Sequence, residues 1–122
     1  MNESEPLTPA VFHILLALSA EERHGYGIIK DVLARTNGKL RLGAGTLYGS
    51  IKRMSEAGLL EESDQRPEGA NDDERRRYYR LTKRGRDAAQ LEARRLEQLV
   101  FDARERRVLP VLLTSRDLEV TR

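Results

Sequence analysis

Apolar and polar positions change period repeatedly along this chain, and each change marks an element. From Ala10 to Ala20 almost every position is apolar, the pattern of a helix buried on most sides. Thr8 can cap its first amides, and Pro9 suits the first helical position. Glu21 to His24 breaks the run. Gly25-Tyr26-Gly27 then opens a second predicted helix over 28–36, with Ile28, Ile29, Val32 and Leu33 on its buried side. Asn37-Gly38 is a strong turn signal, and Leu40-Arg41-Leu42 fits a short strand before the next helix. In the third predicted helix, over 43–58, Ala44, Leu47, Ile51 and Met54 recur at helical steps and share one face. The opposite face carries Gly45, Gly49, Lys52, Arg53 and Glu56, flanked by Thr46 and Tyr48. A glycine inside a helix costs about 1 kcal/mol relative to alanine, so this is a poor sequence for a purely structural helix. Its bare turns would let another backbone approach closely. Gly58 supplies the left-handed position that ends helices.

Alternation replaces helical spacing after Gly58. A strand is expected over 59–63, a turn-rich hairpin tip over 64–74, and a return strand over 75–82. Alternation along the return strand separates Arg77, Tyr79 and Leu81 from Arg76, Tyr78 and Arg80; Tyr79 and Leu81 are expected to face the core, leaving Arg76 and Arg80 outward. A long helix follows over 86–108, with Leu91, Leu96, Leu99, Val100 and Ala103 as an apolar stripe. That stripe either folds back on the first helix or pairs with its copy in a second chain. Pro110 stops the helix, and Val111 to Leu113 add a short apolar patch.

Composition narrows the function. The 122 residues suit one small domain with an appended helix. With no cysteine, disulfides, thiolate metal sites and a cysteine nucleophile are excluded, and a reducing cytoplasm is compatible. His13 and His24 are the only histidines, and no serine lies in a nucleophile motif. No catalytic residue, metal ligand set or cofactor is therefore assigned. The acidic pairs Glu61-Glu62 and Asp72-Asp73 read as solvated patches. The start of the chain is acidic and polar, unlike a secretory signal, and the longest apolar run, Ile14 to Leu18, is too short to cross a bilayer. Net charge is only +2, but its distribution is uneven. RRRYYRLTKRGR, from Arg75 to Arg86, holds seven cations and no acid, a local positive surface suited to phosphate.

A helix, a tight turn and a second helix with exposed donors form a helix-turn-helix, in which the second helix enters the major groove. The expected fold is mainly α with a small β-wing: a winged helix-turn-helix over 1–84, then a C-terminal dimerisation helix and tail over 85–122. Three blocks in order, HGYGIIKDVL, GTLYGSIKRMSEAGLL and RRRYYRLTKRGR, resemble the core of the PadR-like transcriptional regulators, from Leu7 to the long helix after Gly85. The family usually has proline after its Leu-Tyr pair, where this chain has Gly49. The resemblance implies a repressor, released when a ligand or modification alters the dimer through its C-terminal helices. Some relatives stack flat aromatic ligands on an interface tryptophan; this chain has none, so that pocket does not carry over.

The reading is therefore a cytoplasmic homodimer that binds a palindromic operator in double-stranded DNA, with room for a small-molecule effector and no membrane association. Lys52 and Arg53 can donate to guanine or phosphate, Thr46 to phosphate or a base edge, and Tyr48 to phosphate. Gly45 and Gly49 keep the contact face bare, and Tyr26 and Lys30 anchor backbone. Arg66, Arg75, Arg76 and Arg77 lie around the wing and suit phosphate or the minor groove. Leu91, Leu96, Leu99, Val100 and Ala103 would form the dimer contact. The competing assignment is a winged helix used for protein contact without DNA; the cations of the third helix and the wing argue against it.

Overall fold

The computed structural model describes residues 5–64 and 76–110. Along the chain run α1 (Pro9–Ala20), β1 (Arg23–His24), α2 (Gly25–Arg35), α3 (Ala44–Glu56), β2 (Leu60–Ser63), β3 (Tyr78–Leu81) and α4 (Lys83–Glu105). The strands form one antiparallel sheet in the order β1-β3-β2. By packing the chain divides into two compact units, Met1–Glu92 and Ala93–Arg122. The expected mainly helical fold with a small wing sheet is the one observed.

The first unit is built around α1. Thr8 Oγ1 accepts the Val11 N–H at 3.2 Å, the capping bond the sequence called for. Val11, Ile14, Leu15, Ala17 and Leu18 are buried together with Ile28 and Val32 of α2, Leu47, Ile51 and Met54 of α3, and Leu59 and Leu60. α2 begins at Gly25, three residues before the predicted start, because His24 Nδ1 accepts the Gly27 N–H at 3.0 Å and caps the helix. A second tie holds α2 to α1: Arg35 donates to the His13 carbonyl at 3.0 Å and to Asp31 at 2.8 Å.

Several expectations are corrected. Leu40-Arg41-Leu42 is not a strand; the edge of β3 is occupied instead by Arg23 and His24, opposite Tyr79 and Tyr78. Leu42 nevertheless enters the core. Ala44 is exposed, since as the first residue of α3 it projects beyond the core, and Ser50 takes a buried place on that face. On β3 the deeply buried tyrosine is Tyr78, 6% exposed, while Tyr79 and Leu81 are half-buried against the core. Tyr78 is enclosed by its own side of the sheet, where the His24 ring meets it edge-on at 5.2 Å between centroids.

Gly58 adopts the expected left-handed backbone at φ 77°. Its N–H donates to the Ser55 carbonyl at 3.0 Å and the Leu59 N–H to Met54 at 2.9 Å, closing α3. Thr82 opens α4 by accepting the Gly85 N–H on its hydroxyl at 3.0 Å. Gly85 is required by contact, because any Cβ there would run into the Leu59 carbonyl. Ala88 and Ala89 pack on the core, and buried Glu92 accepts the Leu7 N–H at 3.2 Å. α4 ends at Glu105, before the predicted Val108, where left-handed Arg107 (φ 62°) lets the Val108 N–H return to the Ala103 carbonyl at 2.8 Å. In the second unit Leu96, Leu99 and Val100 are 36%, 50% and 38% exposed, and Phe101, absent from the predicted stripe, is exposed as well. The patch expected at Val111 to Leu113 lies outside the described residues.

Candidate nucleic-acid interface

The outward face of α3 is the one the periodicity predicted. Gly45, Thr46, Tyr48, Lys52 and Arg53 are exposed, and Gly49 is half-buried. A Cβ at Gly45 would meet nothing within 4 Å, so the fold itself does not demand glycine there. Lys52 and Arg53 have no carboxylate within ion-pair distance among the described residues, whereas Arg23, Arg35, Arg77, Arg80 and Lys83 all do. Unpaired cations on an exposed helix face keep their charge for an external anion. Arg53 leans back along the helix: its Nη2 donates to Ser50 Oγ at 3.3 Å.

Beside α3, the start of α2 gathers a second group. The Tyr26 ring lies parallel to His24 at 6.4 Å, with Lys30 Nζ 5.6 Å and the Arg76 guanidinium 6.0 Å from its centroid. Arg76 Nη1 also stands 3.2 Å from His24 Nε2. Because His24 Nδ1 accepts from Gly27, a neutral ring carries its proton on Nε2. Tyr48 reaches across from α3 until its hydroxyl lies against Gly25, where a Cβ would collide with it. His24, Gly25, Tyr26, Tyr48 and Arg76, with Arg77 and Tyr79, line an open depression of about 490 Å³. Burial, reinforced by Tyr48 and Glu62, pushes the Tyr79 phenol up, so it stays neutral there.

The structure thus brings Tyr26, Tyr48, Arg76 and Arg77 around one depression and leaves Lys52 and Arg53 on the adjoining helix face. Arg77 is partly engaged by Glu62 at 3.9 Å. Arg66 and Arg75 lie outside the described residues. Sequence reasoning passed over His24, whose capping and stacking no spacing rule announces. It also passed over Arg41, taken for strand but exposed just before α3 and, among the described residues, without a carboxylate partner. Among the described residues no group of acids and histidines is placed to hold a metal ion, and no helix is long and apolar enough to cross a membrane.

Two helices joined by the connection 36–43, the second exposing cations without a carboxylate partner among the described residues, beside a three-stranded sheet that carries further arginines, define a winged helix-turn-helix protein. The profile of the transcriptional regulator PadR-like family matches residues 14–91. The chain belongs to that family of transcriptional regulators. Among solved structures it is similar to a PadR family transcription regulator from Clostridium difficile, at 23% identity over 80% of this chain and 97% of that one, with a TM-score of 0.66. A transcriptional regulator from Clostridium thermocellum gives 22% identity over 79% and 87%, with a TM-score of 0.65. Pex from Synechococcus gives 28% identity over 71% and 79%, with a TM-score of 0.53. No curated protein sequence gives a significant match.

Proposed function

We propose that this regulator is a cytoplasmic homodimer that represses transcription by occupying a palindromic operator, with α3 of each chain in the major groove. The observation that carries the reading is the pair of unpaired cations, Lys52 and Arg53, on an exposed helix face thinned by glycine. The depression beside it, with Tyr26, Tyr48 and Arg76 around the start of α2, offers hydroxyls and charge to backbone phosphate. Lys30 adds a cation beside Tyr26, and Thr46 a hydroxyl on the exposed face of α3. The exposed leucines of α4 supply a surface for the second chain, and a small-molecule effector would act by changing how two such helices meet.

Selection of bound duplexes from a randomised pool tests the reading. A sequence with two inverted half-sites is expected, and Arg53→Ala should weaken it by about 1 to 3 kcal/mol if the guanidinium reads a guanine edge. The loss on random duplex should be smaller. A wild-type protein that enriches no duplex would favour a module for protein contact instead.

A further inference from the structure

Ser50 is 1% exposed on the buried side of α3, where an apolar residue would serve packing better. Buried hydroxyls in folded proteins have partners, and among the described residues the one hydrogen bond recorded for this side chain comes from Arg53 Nη2 at 3.3 Å. The partner is a solvent-exposed arginine with no carboxylate neighbour among the described residues. The other terminal nitrogen of the same guanidinium lies near Gly49: a methyl built on that glycine would stand 3.6 Å from Arg53 Nη1. Any side chain longer than alanine at 49 would compete for the space the guanidinium occupies. The two residues thus form a seat, a hydroxyl that holds the fork and a glycine that leaves room for it, at the position where the family pattern has proline.

We infer that Ser50 and Gly49 are positioning residues for Arg53, fixing the direction from which its planar fork meets a base edge and so setting sequence preference. The inference rests on the DNA-binding reading above. An unheld arginine samples many rotamers and loses that freedom on contact, and its five donors recognise a base only when the fork is correctly aimed. Discrimination between duplexes, rather than overall affinity, is what the seat should control.

The test measures the affinity ratio between the duplex enriched by the wild-type protein and a scrambled duplex of equal length and charge. Ser50→Ala deletes the hydroxyl, and Gly49→Leu fills the guanidinium's place with a good helix former; circular dichroism and melting establish that each is folded. Each is expected to lower the ratio by roughly three- to tenfold, within the roughly 5- to 150-fold carried by a whole bidentate contact. In an Arg53→Ala background Ser50→Ala should not lower it further. An unchanged ratio in folded Ser50→Ala would overturn the inference, as would equal losses with and without Arg53, since the effect would then not pass through that side chain. Should the leucine variant not fold, Ser50→Ala decides alone. A wild-type protein that selects no duplex overturns the DNA reading itself and this inference with it.

Discussion

Gly45 and Gly85 stand in helices, yet their substitutions by alanine should act in opposite directions. A methyl at Gly45 meets nothing, so Gly45→Ala is expected to raise stability by up to about 1 kcal/mol through helix propensity. At Gly85 the methyl would press into the Leu59 carbonyl, and separating α4 from the strand entry should cost about 1 to 3 kcal/mol. Urea unfolding of the two variants checks both signs, and equal shifts would contradict the packing described for Gly85. His13 gives a pH dependence. Partial burial first, and the nearby Arg35 charge second, hold its imidazole below the ordinary value of 6.5. The unfolded chain therefore takes up this proton at higher pH than the folded one. The resulting stability is complete above 6.5 and drains away as pH falls through the lowered folded value. Thermal melts should show wild type losing more than His13→Gln on acidification, while an identical pH response in the two would remove His13 as the cause.

At the scale of elements, the helices were legible because their buried faces repeat at helical spacing, and Thr8-Pro9 and Gly58 marked ends by side-chain chemistry that acts locally. β1 was not legible. Two residues carry no period, and Arg23-His24 become a strand only because β3 offers an edge. The same distant pairing explains why Tyr78, assigned outward from alternation alone, is buried: a short strand in a wing has covered positions on both sides. The outer face of α3 was readable from its residues, but the seat of Arg53 on Ser50 was not, since serine at a buried step looks like an interruption of the apolar pattern. Two wing arginines stand in different surroundings. Arg80 is held by Glu61 at 3.0 Å, whereas Arg76 lies by the Tyr26 ring. Arg76→Ala should lower the salt dependence of DNA affinity by about 0.9 in the logarithmic slope if it neutralises one phosphate, and Arg80→Ala should leave the slope near wild type. Titrations at several salt concentrations decide; equal slopes for Arg76→Ala and wild type would take that residue away from the DNA.

For the whole molecule, the question is what α4 does beyond Glu92. Along α4 the core takes in Ala88 and Ala89, with Glu92 buried just beyond them, and no later residue belongs to it. The later residues still carry Leu96, Leu99 and Val100 in exposed positions, with Phe101 beside them. Apolar side chains grouped this way on a single helix suit the dimer contact proposed above, and the proposed palindromic operator would need a second chain related by a two-fold axis. Leu96→Asp combined with Leu99→Asp should therefore convert a dimer into monomer, because each carboxylate would lose water without gaining a partner, at several kcal/mol apiece. The monomer should remain folded, since neither leucine belongs to the core. Its melting temperature should lose the dependence on protein concentration that a dimeric wild type would show. Binding should fall towards that of one half-site, with the linkage between the two halves gone. Analytical ultracentrifugation reads the first consequence directly. A double variant that sediments as an unchanged dimer would move the interface off this stripe, and the helix would then need another partner.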